Sequence, residues 1–252
     1  MVTFLCSSPT RELDREHPCP MLDERNGFVE QVKRFWREDA RCLMIAAWPA
    51  AHGLNDEMTA YYREAAEYSG LPVGCFDLWD DRLPPLSREG LHRYDVLFLA
   101  GGHVPSEFRW FEEIGLPRLL KGYEGLVIGT SAGSMNAAEL VYAWPEEPGE
   151  TNLPEEELFY PGLGLARTLV LPHYQKLKNA TLDGFLLLED IARGHSRGRA
   201  FYAIPDGSYV LAEGGRETLF GEAHLVKNGR ITPFAREGEV HLLHGGKTPF
   251  DL

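Results

Sequence analysis

The stretch LVIGTSAGSMNAAE, residues 126–139, decides how this chain is read. Leu126-Val127-Ile128 is a continuous apolar run, the pattern of a strand buried on both faces. Gly129-Thr130-Ser131-Ala132-Gly133 breaks the run, and the residues from Ala132 to Glu139 suit a helix. A serine at the tip of a sharp strand-to-helix turn is the G-x-S-x-G arrangement. Small neighbours let strand and helix approach closely. The serine oxygen then stands above the sheet, and the next backbone N–H and the helix N-terminus face developing negative charge. Ser131 is therefore the candidate nucleophile. The bland alternative is a Gly-rich turn that binds a phosphate or merely packs a helix on a sheet. A second match, Gly194-His195-Ser196-Arg197-Gly198, follows a helical pattern and precedes a strand, the reverse order. Arg193, Arg197 and Arg199 flank it, so a solvated loop is expected there.

Outward from this segment the same alternation continues. Apolar runs at 2–6, 42–48, 73–78 and 95–100 predict four strands before it. Phe28, Val32, Phe35 and Trp36 fall at helical spacing with Asn26 as N-cap, and a helix from Asn55 as N-cap to Tyr68 ends at Gly70. Repeated strand and helix imply βαβ units and an α/β fold: a doubly wound, mainly parallel sheet with helices on both faces. The second half reads differently. A strand is expected at 168–172, a helix through Leu182, Phe185, Leu186 and Ile191, and a strand at 200–204. Short strands at 209–212, 218–220 and 240–243, with a hairpin around Asn228-Gly229, give a small β-rich C-terminal portion. No repeat or linker divides the chain, so residues 1–252 read as one domain, with 145–157 an acidic surface excursion.

Serine needs a base, and the base needs an orienting group. His173 closes the run TLVLP, and Asp206 follows AFYAIP within Pro205-Asp206-Gly207. Ligand sites in open α/β sheets lie outside the carboxyl ends of strands. Ser131, His173 and Asp206 are thus expected to converge on one edge, although Pro-Asp-Gly is also an ordinary turn sequence. The Gly101-Gly102 step ends another strand. With the N–H of Ala132 it provides a candidate two-donor oxyanion hole, and His103 follows it. His92, His195 and His224 lie in polar stretches, and His241 and His244 in a late β-like segment. His17 with Cys19 makes an improbable metal site, and no zinc spacing occurs.

Composition narrows the function classes. The chain has 252 residues and a formal charge of −13. An acidic chain repels phosphate backbones, so nucleic acid is not an expected partner. No basic run suggests a membrane surface, and no apolar run reaches spanning length. Cys6, Cys19, Cys42 and Cys75 are too few for a disulfide framework at this length. No signal peptide is apparent, so the cytoplasm is the expected compartment. A homodimer is left open.

The set Gly129–Gly133, Leu171-Pro172-His173-Tyr174, Ile204-Pro205-Asp206-Gly207 and Ala100-Gly101-Gly102-His103, in this chain order, resembles the dipeptidase E and cyanophycinase family of serine peptidases. The resemblance runs from the first strand to about Tyr209. It implies the class I glutamine-amidotransferase-like fold, with Ser131 as nucleophile, His173 as base, and Gly102 and Ala132 as oxyanion donors. Gly101 and His103 are then expected at the substrate, a short peptide, and no cofactor is implied. The family's acid is usually a glutamate in a P-E-G turn; here the position holds Asp206, one methylene shorter. The aspartyl dipeptidase branch uses an arginine downstream of the base. The stretch from Tyr174 to Asp190 has Lys176 and Lys178 but no arginine, so that preference does not carry over. Amidotransferases of this fold need a cysteine where this chain has Ser131. Two other readings stand beside the peptidase. One is an α/β-hydrolase-type esterase, with a C-terminal histidine as base. The other is a non-catalytic ligand-binding protein on the same fold.

Overall fold

The computed structural model describes residues 1–15 and 18–245; His17 and Gly246 lie outside them. Five parallel strands form the body of the central sheet. They are β1 (Val2–Cys6), β2 (Ala40–Ile45), β3 (Val73–Trp79), β4 (Val96–Leu99) and β5 (Leu126–Thr130). A short antiparallel pair, β6 (Leu140–Tyr142) and β7 (Phe159–Pro161), follows, then β8 (Leu169–Leu171). Strands β9 (Thr181–Leu182) and β10 (Phe185–Leu186) form a hairpin. The chain continues through β11 (Ala200–Ala203), β12 (Tyr209–Glu213), β13 (Arg216–Phe220), β14 (Ala223–Lys227), β15 (Arg230–Ala235) and β16 (Val240–His244). The central sheet runs β16-β13-β12-β1-β5-β4-β2-β3. Strand β12 lies antiparallel to β1, so the sheet changes from parallel to antiparallel there. A second sheet, β15-β14-β11-β8, pairs β11 with β8 in parallel.

The continuous apolar runs are explained by burial on both faces. Alternate residues of a strand point to opposite sides. Leu5, Leu43, Ile45, Leu97, Leu99 and Val127 pack on one face with Trp110 and Phe111 of the helix Val104–Glu113. Phe4, Cys6, Met44, Phe98 and Ile128 pack on the other. There they meet Phe28 and Val32 of the helix Phe28–Lys33, and Tyr62 and Ala66 of the helix His52–Tyr68. Among the described residues no helix is long and apolar enough to cross a membrane.

Three local expectations are corrected. Asn55 does not cap its helix, which starts at His52 with Ala51 before it. Asn55 is buried one turn inside, and its amide donates to the carbonyl of Trp48 at 2.9 Å. Asn26 does not cap the helix at Phe28; Gly27 precedes that helix with φ +70°. The Asn26 amide instead donates to the Gly207 carbonyl at 2.8 Å, far along the chain. The helix expected through 182–191 is a hairpin followed by a π-helical turn, Leu187–Ala192. Asp183 and Gly184 take φ +51° and +87°, as a two-residue Asp-Gly hairpin turn requires.

Candidate active site

Strand order brings the site together. Strand β1 lies between β5 and β12, so three chain segments end or begin at its carboxyl edge. Ser131 follows β5, Ser7 follows β1, and Asp206 to Ser208 precede β12. The parallel pair β8 and β11 delivers the rest. Leu171 is opposite Ala203, so His173 and Asp206 emerge two and three residues past paired positions. The Ile204 amide donates to Leu171 and the Tyr174 amide donates back to Ile204, at 2.9 and 3.1 Å.

At this edge the Ser131 hydroxyl lies 3.0 Å from His173 Nε2, and His173 Nδ1 lies 2.7 Å from Asp206 Oδ1. The shorter side chain of Asp206 therefore spans the gap. Among the described histidines no other ring is within hydrogen-bonding distance of Ser131. His195 meets the Tyr142 hydroxyl, His92 the Leu119 carbonyl and His241 the Glu239 carboxylate. His224 stacks on Tyr174. Ser196 is fully buried, against the solvated loop expected for it. Its hydroxyl donates to Arg193 and accepts from the Gly229 amide, tying its loop to the Asn228-Gly229 hairpin.

Both Ser131 and His173 hold backbone conformations that L-residues rarely take. Ser131 has φ +50° and ψ −111°, and His173 has φ +57° and ψ +38°. Such geometry costs about 1–3 kcal/mol per residue and persists where surrounding contacts over-determine it. Those contacts are present. The Ser131 amide donates to the carbonyls of Cys6 and Ser7 at 3.0 and 3.2 Å. The His173 amide donates to the Ser7 hydroxyl at 2.7 Å, and its carbonyl accepts from Lys176 and Leu177.

Ser7 and Gln175 are the residues that the sequence reading missed. The Ser7 hydroxyl donates to Asp206 Oδ1 at 2.5 Å, and the Gln175 amide donates to Asp206 Oδ2. Gln175 Oε1 accepts from the Asp206 backbone at 3.2 Å. Burial raises the Asp206 carboxyl's affinity for a proton, but His173, Ser7 and Gln175 outweigh it and hold the group at about 2. Ser7 carried a usable signal, since it sits one residue past the first strand on the edge already singled out. Gln175 carried none.

The Gly101-Gly102 turn flanks the serine. A Cβ placed on Gly101 would lie 3.4 Å from the Ser131 Cβ. Ala132 opens the helix Ala132–Asn136, so its amide has no acceptor within the helix. Among the described residues nothing accepts a hydrogen bond from the Gly102 amide. His103 has both ring nitrogens engaged, with the Ser106 hydroxyl at 2.8 Å and the Glu150 carboxylate at 3.0 Å. No three His, Cys, Asp or Glu side chains among the described residues cluster to hold a metal ion.

The two turns are locked to each other behind the site. Asn136, ending the serine's helix, donates to the Val104 carbonyl and to the Glu107 carboxyl at 2.9 and 2.8 Å. Glu107 is fully buried, and its second oxygen has no partner. Burial raises its pKa well above the ordinary carboxyl value, so the folded chain favours the neutral acid. Its contribution to stability is present below the unfolded value and is lost as pH rises toward the folded one. Glu107→Gln is therefore expected to melt higher than the parent at pH 8, by about 2–4 °C or more, and to match it near pH 4. Thermal melts across that range measure it, and parallel pH profiles would contradict it.

No family model and no curated protein matches this chain. Solved structures do. The chain is similar to a peptidase from an acI-B1 Actinobacterium, with a TM-score of 0.59 at 16% identity and 96% of each chain covered. It is also similar to a protein from Listeria monocytogenes EGD-e provisionally described as a Peptidase E. There the TM-score is 0.56 at 18% identity, with 86% of this chain and 96% of that one covered. At such identities the likeness is one of fold, and the fold this chain carries is that of these peptidase structures.

Proposed function

We propose that this chain is a serine peptidase that hydrolyses short peptides through an acyl-enzyme. The observation that carries the reading is the unbroken line from the Ser131 hydroxyl through the His173 ring to the Asp206 carboxylate, at 3.0 and 2.7 Å. Ser131 Oγ attacks the scissile carbonyl carbon while His173 Nε2 takes its proton. Asp206 holds the ring with its proton on Nδ1 and stabilises the imidazolium that forms. The amides of Gly102 and Ala132 hold the oxyanion, each donor worth about 3–4 kcal/mol in the transition state. The intermediate collapses by breaking the C–N bond, and the leaving amine takes the proton from His173. Water then adds to the acyl carbon, again giving its proton to His173, and the acid departs as the proton returns to Ser131. Nucleophile, base, acid and donors are all protein groups, so the sequence of steps needs no metal or organic cofactor. All four cysteines are unpaired, which suits the reducing cytoplasm as the working compartment.

A fluorophosphonate with mass-spectrometric mapping tests the nucleophile. The expected result is one adduct, on Ser131, absent in Ser131→Ala and formed at least about 10³-fold more slowly in His173→Ala. An adduct on Ser196, or full dipeptide turnover by Ser131→Ala, would overturn the reading.

A further inference from the structure

Ser7 follows β1, and the ladders on both sides of that strand fix where it stands. Cys6 pairs with Thr130 of β5 and with Tyr209 of β12. Ser7 is therefore level with Ser131 on one side and with Ser208, past the turn that carries Asp206, on the other. It is fully buried. From that place it touches all three members of the line from serine to acid. Its carbonyl accepts from the Ser131 amide at 3.2 Å. Its hydroxyl accepts from the His173 amide at 2.7 Å and donates to Asp206 Oδ1 at 2.5 Å.

The direction of these bonds is not free. A backbone amide can only donate, so a lone pair of the Ser7 oxygen faces His173. A hydroxyl has one proton, and this one goes to the carboxylate. Asp206 Oδ1 also accepts from His173 Nδ1 at 2.7 Å, which closes a ring. The ring runs from the His173 amide through the Ser7 hydroxyl and the Asp206 carboxylate back to the His173 imidazole. It holds the histidine at both ends, by a backbone at φ +57° and by the side chain. A left-handed backbone of this kind persists where contacts over-determine it, and bonds to an ionised acceptor are the strong ones. Gln175 grips the second oxygen and accepts from the Asp206 amide, which fixes the plane of the carboxylate.

We infer that Ser7 is a positioning residue of this site: by closing the ring it sets the His173 imidazole where Nε2 reaches the Ser131 hydroxyl. The inference rests on the peptidase reading above and gives the same site a fourth side chain.

Ser7→Ala tests it. The His173 amide is then buried without its acceptor, and Asp206 Oδ1 loses one of its two donors. Dipeptide kcat and the rate of Ser131 labelling by a fluorophosphonate are expected to fall together, by about 10²-fold, with KM unchanged. Ser7→Thr keeps the hydroxyl and should recover most of the loss. Thermal melts establish that each variant is folded. If the added methyl group of threonine unfolds the chain, Ser7→Cys takes its place as a weaker donor and acceptor, and its rate should lie between those of Ser7→Ala and the parent. The proton on His173 Nδ1 gives a second readout, a downfield NMR signal that disappears in His173→Ala. It is expected to move in Ser7→Ala, because Oδ1 has lost its other donor, and to hold its position in Ser7→Thr. A folded Ser7→Ala with parental kcat, parental labelling rate and an unmoved signal would overturn the inference, and so would a loss carried by KM alone. Labelling of the parent separates the two failures. With the parent labelled on Ser131, a parental Ser7→Ala refutes the role of Ser7 alone. An unlabelled parent refutes the nucleophile, and the role of Ser7 falls with it.

Discussion

Asp206→Asn is expected to lower kcat by about four orders of magnitude while leaving the far-ultraviolet circular dichroism unchanged. The reason lies in the donors around the group. Oδ1 accepts from His173 Nδ1 and the Ser7 hydroxyl, and Oδ2 from the Gln175 amide. An amide nitrogen must confront a donor whichever way it turns. Facing His173, it would take the lone pair of Nδ1 and force the ring proton onto Nε2, which could then no longer accept from Ser131. Facing Gln175, it would require that amide to flip, and the hydrogen bond from the Asp206 backbone to Gln175 Oε1 would be lost. The pH dependence should change with it. The folded chain holds Asp206 at about 2, below its ordinary 3.8. A depressed carboxyl contributes stability that is present above the unfolded value and is lost as pH falls through the folded one. The parent should therefore lose stability between about pH 4 and 2 more steeply than the variant. A loss in kcat of less than tenfold would remove Asp206 from the mechanism.

Gly133→Ala is expected to damage stability and activity together. A Cβ at this position would lie 2.5 Å from the Leu99 carbonyl oxygen and 2.7 Å from that of Ala100. Both are backbone atoms of the strand end that leads into the Gly101-Gly102 turn, so no flexible side chain can move aside. Overpacking of this kind costs about 1–3 kcal/mol. The relief must come from pushing the serine's helix away from the Gly101-Gly102 turn. A misplacement of about 1 Å at reacting groups costs roughly 10²-fold in rate. Denaturant midpoint and dipeptide turnover should therefore both fall, and a variant with parental midpoint and turnover would show that the two turns are not held this tightly. Gly129 answers to the same constraint from the strand side, since its Cβ would lie 2.8 Å from the Ser134 backbone.

Much of this is legible in the sequence. The five parallel strands were readable because burial on both faces leaves uninterrupted apolar runs, and Ser131, His173 and Asp206 because each closes such a run. What failed to show were side chains whose partners are remote. Asn26 and Asn55 look like helix caps, yet their amides serve the Gly207 and Trp48 carbonyls. His103 stands beside the Gly101-Gly102 turn, but its ring is held by Glu150, 47 residues away. The helix expected through 182–191 fails for a local reason: the Asp-Gly pair at 183–184 outweighs the apolar spacing around it.

By itself the sequence determined the properties that depend on neighbours along the chain. These are where strands run, where glycines force turns, and that a serine sits at one of those strand-to-helix turns. Only the tertiary structure decided that β12 returns antiparallel beside β1 and that β8 pairs with β11. Strand pairing is chosen by the packing of both sheet faces, a sum over contacts far apart in sequence. That choice sets Ser7, Ser131, His173 and Asp206 on one edge, although 199 positions separate the first from the last.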